Sequence, residues 1–188
     1  TSSKDALYES IYLDGKGHAI ISDSFPAEYF QKDDVLYVFP DKSVFIFKLE
    51  KDNLKGILEW VNKKTYKATK VPTNDEYERI FDTYTVDPNL LYEFYKNNFK
   101  DGTDEVSYEA FEDEANYIQN MENLCNKGLT SACGALFGMK FLQSSGGLDS
   151  LLSGNDTEFK PNKDLESIAQ KMISLQDYRG YSLLGSYF

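Results

Sequence analysis

The chain has little of what most catalytic and metal sites require. Its 188 residues include one histidine, His18, and two cysteines, Cys125 and Cys133. Two thiols with seven residues between them fall short of the four ligands of a structural zinc site, and His18 is remote in sequence. No apolar run approaches the ~18 residues that a membrane-spanning helix needs. No signal peptide is visible. The chain begins Thr1-Ser2-Ser3 without a methionine, which fits removal of an N-terminal segment by processing or by design. A lost export signal, or a lipid-bearing cysteine just before Thr1, is compatible with that start.

Enzyme motifs are equally sparse. There is no Gly-x-Ser-x-Gly elbow and no Ser-x-x-Lys nucleophile motif. Gly15-Lys16-Gly17 lacks the rest of a phosphate-binding loop and reads as a turn. His18 follows that turn and is expected at a strand edge rather than as a catalytic base. The stretch Asp149 to Lys160 fails the calcium-loop pattern, because Leu151 and Ser153 occupy ligand positions and no Glu closes it. The expectation is a non-enzymatic chain with no cofactor and no metal.

What the chain does have is apolar and acidic material. It is 41% hydrophobic and 15% aromatic, with 14 Tyr and 13 Phe, enough to build a core. Its formal net charge is -11, from 20 basic and 31 acidic residues. Such a surface repels nucleic-acid phosphates and anionic lipid, since no counterion release rewards contact. It favours a basic partner, or serves solubility.

The pattern changes near Pro72. Before it, short β-branched and aromatic runs dominate: His18 to Ser22, Val35 to Phe39 and Val44 to Leu49. Asp14 to Gly17, Pro40 to Ser43 and Lys51 to Asn53 supply turns. Leu54 to Val61 is ambiguous between strand and helix, with strand favoured because Thr65 to Val71 alternates after it. A meander of about four or five strands is expected. After Pro72 the chain turns helical. Thr73 or Asn74 can cap one helix through Phe81, and Asp87 can cap another with Pro88 in first position. A long helix is expected from about Asp104 to Lys127, with Phe111, Ala115, Ile118, Glu122 and Cys125 at three- or four-residue steps. Gly128 stops it, and Thr130 or Ser131 can cap the next, which runs from Ala132 to about Leu142. Leu148 to Leu152 can form one helical turn inside a Gly- and Ser-rich connection, and two further helices, Lys163 to Leu175 and Gly180 to Phe188, close the chain. The fold class is therefore α+β: a small N-terminal antiparallel sheet in residues 1–72, then antiparallel helical hairpins of repeat type in residues 73–188.

Two helix entries look alike. Cys133-Gly-Ala-Leu-Phe-Gly138-Met-Lys-Phe141 aligns with Gly180-Tyr-Ser-Leu-Leu-Gly185-Ser-Tyr-Phe188, 47 residues later. The small residue would let a paired helix approach, and the Gly would remove a side chain at a helix crossing despite costing about 1 kcal/mol in propensity. Such recurrence marks stacked helical hairpins. The second copy, with Gly180, Leu184, Gly185 and Phe188, resembles the Ala-x-x-x-Leu-Gly-x-x-Tyr signature of the SEL-one-like helical repeats, relatives of the tetratricopeptide repeats. The first copy fits in either of two registers. Leu136 takes the Leu place with Phe137 at the Gly place, or a one-residue slip restores Gly138 and puts Phe137 at the Leu place. The resemblance spans about residues 104 to 188, and its repeat is longer here than is usual in the family. The Cys125 to Cys133 spacing matches the cysteine-rich, exported branch, whose helix pairs are bridged. Helix geometry agrees: a cysteine in the last turn of one helix faces one at the start of the next, within the ~4.4–6.8 Å that a disulfide spans between Cα atoms. The other reading of the pair is two unbridged core thiols.

A bridge implies an oxidising compartment such as a bacterial periplasm. With the resemblance, it implies an exported protein–protein binding module. The narrower expectation is an immunity protein that occludes a basic-surfaced, secreted antibacterial toxin. The alternatives are a structural or regulatory adaptor of the bacterial envelope, and a hydrolase acting on cell-wall compounds or β-lactams. The acidic residues Asp104, Glu105, Glu112, Asp113 and Glu114 are the candidate partner-binding set; a solvated helix face is their other reading.

Overall fold

The computed structural model describes residues 10–40, 43–58, 65–67, 69, 85–145 and 162–187. It divides into two compact units, residues 1–108 and 109–188. The expected boundary at residue 72 lies outside the described residues, as do the helix expected from Thr73 to Phe81 and the turn expected at Leu148 to Leu152.

Among its described residues the first unit holds seven antiparallel strands in simple meander order: β1 Ile11–Leu13, β2 His18–Ile21, β3 Phe25–Lys32, β4 Val35–Phe39, β5 Phe45–Glu50, β6 Asn53–Leu58 and β7 Thr65–Lys67. The ambiguous segment after Leu54 is therefore a strand as far as Leu58. Turn chemistry fixes the hairpins. The Asp14 carboxylate accepts the Lys16 and His18 N–H groups at 2.6 and 3.0 Å, bending the chain from β1 into β2. Ser22 and Asp23, both at positive φ, form the tight β2–β3 connection, and Lys51 does the same between β5 and β6.

Register sorts the side chains onto two faces. Ala19, Ile21, Ala27, Leu36, Val38, Phe45 and Phe47 make one buried cluster, joined by Ile11, Leu13, Tyr29 and Leu54. The opposite face carries Phe30, Tyr37 and Phe39. It is covered by α1, Pro88–Asn98, through Tyr92, Tyr95 and the following Phe99. This helix starts as its sequence requires: Asp87 caps it, accepting Asn89 N–H at 2.8 Å, with Pro88 at the first position. Because α1 belongs to the sheet's core, the first compact unit extends past residue 72.

The helix expected from Asp104 to Lys127 is broken in two places. The segment 104–107 is not helical. It folds back on the end of α1 through the Phe99–Val106 bridge and the fully buried Tyr95, whose hydroxyl accepts Thr103 N–H at 2.9 Å and faces the Thr103 and Lys100 carbonyls. Helix α2, Tyr108–Glu112, then ends at Asp113, whose carboxylate accepts Asn116 N–H at 3.0 Å and so starts α3, Glu114–Asn126. A cap inside the expected helix overrides continuous helical periodicity. The buried stripe of α3 is Tyr117, Met121, Leu124 and Cys125, while Ala115 is exposed.

Three more helices are described in the second unit: α4 Thr130–Ser144, α5 Lys163–Ser174 and α6 Arg179–Tyr187. From α3 to α6 each described helix packs on the next, and they form two antiparallel hairpins, α3–α4 and α5–α6.

Candidate interaction site

The two hairpins turn in the same way. At the end of α3, Gly128 adopts φ +101°; its N–H donates to Cys125 O, and Leu129 N–H donates to Leu124 O, each at 3.0 Å. At the end of α5, Gln176 adopts φ +65°; its N–H donates to Ile173 O at 2.9 Å, and Asp177 N–H to Met172 O at 3.0 Å. Both are left-handed helix stops with the paired bonds that consume the last carbonyls. Gly128 and Gln176 are thus equivalent, 48 residues apart. The same offset pairs buried Tyr117 with Leu165, Met121 with Ala169 and Leu124 with Met172.

That geometry settles how the hairpins align. Ala132 corresponds to Gly180, Leu136 to Leu184 and Phe137 to Gly185, one residue away from the alignment of Gly138 with Gly185. The close approach is at Gly180, where an added Cβ would lie 2.6 Å from Ala169 O and 2.8 Å from Ile173 Cγ1. At Gly138 and Gly185 it would meet nothing within 4 Å, so neither glycine makes room for a helix crossing here. Phe188 lies outside the described residues.

Cys125 and Cys133 are bonded to each other, with Cα atoms 4.7 Å apart, and both are buried. The bridge joins the last turn of α3 to the first of α4. Neither Thr130 nor Ser131 caps α4; the cap position is Leu129, with no side-chain bond. In the second hairpin that position belongs to Asp177, only 2% exposed. Its carboxylate accepts Arg179 N–H at 3.0 Å and grips the Arg179 guanidinium through Nε and Nη2, the latter at 2.6 Å. Arg179 Nη2 also donates to Thr130 Oγ1 at 3.2 Å, tying the start of α6 to the start of α4.

Beside this clamp stand Tyr178 and Tyr181, 66% and 57% exposed, their rings stacked with centroids 6.3 Å apart. Their counterparts on the first hairpin, Thr130 and Cys133, are 2% and 0% exposed. Tyrosine beside arginine on a rigid backbone is the composition of protein-binding hot spots.

The acidic candidates are divided between the two units. Asp104 and Glu105 are exposed in the first unit, where Glu105 pairs with Lys100 at 3.0 Å. Glu112, Asp113 and Glu114 are exposed in the second, but Asp113 serves as the α3 cap and Glu114 accepts Gln143 Nε2 at 2.7 Å. Local structure therefore occupies three of the five. His18 is not at a strand edge: β2 lies between β1 and β3, and His18 is buried, with Nδ1 3.0 Å from the Asp14 carboxylate and with buried Glu28 directly opposite in register. The Tyr29 phenol is pushed up by burial first and by the Asp14 charge second. No cluster of three potential metal ligands occurs among the described residues. Nor, among those residues, is any helix long and apolar enough to cross a membrane.

The chain matches no protein-family model, no curated protein and no solved structure.

Asp177, Tyr178 and Arg179 are functional candidates that carry no site motif in the sequence, where they fall between the two closing helices. The available signal was Gln176-Asp177 at the same distance from α5 as Gly128-Leu129 from α3.

Proposed function

We propose that this chain is an exported protein–protein binding module that acts by docking and occlusion rather than by catalysis. The observation that carries the reading is the stacked pair of helical hairpins with the exposed Tyr178–Tyr181 pair held beside the Asp177–Arg179 clamp. Stacked hairpins present extended surfaces to other proteins, and exposed tyrosines on a fixed backbone lose little entropy on binding. The buried Cys125–Cys133 bridge supports an oxidising compartment. The helical unit is read as a divergent SEL-one-like pair, supported by the common turn and by Ala132 and Gly180 at equivalent places.

The narrower reading is an immunity protein for a secreted antibacterial toxin. Its support is the -11 charge, which suits a basic toxin surface. Co-expression with the product of a neighbouring toxin gene tests it. The reading expects a co-purifying complex and protected growth. A toxin that neither binds nor is neutralised would refute the immunity role.

A further inference from the structure

The repeat alignment compares a covered helix with an open one. Helix α4 lies between α3 and α5. Its positions Thr130, Cys133 and Phe137 are all shut, Phe137 at 7% exposure. The equivalent positions are Tyr178, just before α6, and Tyr181 and Gly185 on it, and all three are exposed. They fall three and four residues apart and so share one helix face. Leu184, equivalent to buried Leu136, is half-exposed beside them. A Cβ at Gly185 would touch nothing within 4 Å, so the face is open one turn beyond Tyr181. Arg179 does not make this rim basic, because Asp177 takes up its charge.

We propose that this face of α6 docks an amphipathic helix of a protein partner, with a basic polar side turned to the surrounding chain. The inference rests on the protein-binding reading and adds where the partner sits and what it is made of. Three arguments select this occupant. The packing series from α3 to α6 is helix on helix at each step, and α6 is its last described member. Its apolar elements have helical spacing, which an extended peptide would not match. The net charge of -11 disfavours a second copy of the chain and favours a cationic one.

The test titrates the full chain with three synthetic peptides of about 18 residues, or five turns. One has a Leu stripe at helical spacing and a Lys/Arg polar face. The second has the same stripe with a Glu polar face. The third is the first in scrambled order. The readouts are the Tyr178 and Tyr181 ring resonances and peptide helicity. The first peptide should shift both rings saturably, gain helix and bind at least tenfold tighter than either other peptide. Tyr178→Glu with Tyr181→Glu should weaken it at least tenfold, and Gly185→Gln, which puts a side chain on that open position, should also weaken it. Equal binding of the scrambled peptide, or unchanged binding to the double variant with its fold intact, overturns the proposal. The natural partner separates the two levels: a partner held equally well by the double variant sinks this docking face alone, whereas failure to bind any protein sinks the reading of function.

Discussion

Replacing Gly180 by alanine should destabilise the helical unit, while the same replacement at Gly138 should stabilise it. Both sites belong to the sequence motif, Gly180 at its small-residue place and Gly138 at its Gly place, and they are opposites in space. At Gly180 the new methyl would sit 2.6 Å from Ala169 O and 3.0 Å from Ile173 N, both backbone atoms that cannot step aside cheaply. Overpacking of this kind costs about 1–3 kcal/mol. The propensity gain of alanine over glycine is at most about 1 kcal/mol and is smaller in a first turn. A net loss of about 1–2 kcal/mol follows. At Gly138 nothing lies within 4 Å and the residue is inside α4, so about 1 kcal/mol of gain remains. For a unit the size of residues 109–188, each kcal/mol moves the melting temperature by about 4–8 °C. The two units need not unfold together, so amide exchange along α4 and α5 is the assay of choice. A Gly180→Ala protein as stable as the Gly138→Ala protein would refute the 48-residue register and the close approach at Gly180.

Replacing Cys125 and Cys133 together by serine should cost about 2–3 kcal/mol, the loop-closure value for so short a loop, in denaturation followed at the helical unit. Equal stability of the variant and the oxidised parent would show that the bridge constrains nothing. Arg179→Ala leaves the buried Asp177 carboxylate without its guanidinium; the expected loss is about 2–3 kcal/mol, below that of a fully buried pair because Arg179 is exposed on one side. Restoring stability by adding Asp177→Asn would confirm the coupling, and additive losses would deny it. Burial pushes the Tyr95 and Tyr117 phenols up to about 12, so the folded chain holds these protons more tightly than the unfolded chain. Stability should stay level below about pH 10 and then fall by about 1.4 kcal/mol per pH unit for each, until about pH 12. Denaturation midpoints across that range, with tyrosinate absorbance as a second signal, check it, and a flat profile would contradict the burial of these phenols.

Much of the fold is legible in the residues. Val35 to Phe39 and Val44 to Leu49 announce their strands by β-branched and aromatic content, and Asp87-Pro88 announces α1 by cap chemistry. β3 is harder to see: Pro26 near its start and buried Glu28 at its centre break the alternation, and only pairing with β2 and β4 makes it a strand. The long acidic helix fails for a tertiary reason, since Tyr95 and Val106 hold residues 99–106 against α1, contacts invisible to local periodicity. The cysteine pair is legible because a hairpin fixes both ends of its short loop. The tyrosine face is not, because its meaning depends on a repeat register that sequence leaves one residue ambiguous.

The central claim is that this chain works by binding a protein. A photo-crosslinking residue placed at Tyr181 in intact cells, with Gly138 as an exposed control position on α4, tests it most directly. The account predicts one dominant adduct from position 181, absent from position 138, whose protein component then binds the purified chain and loses binding to the Tyr178→Glu, Tyr181→Glu variant. No adduct at 181, or the same scattered adducts from both positions, would contradict it.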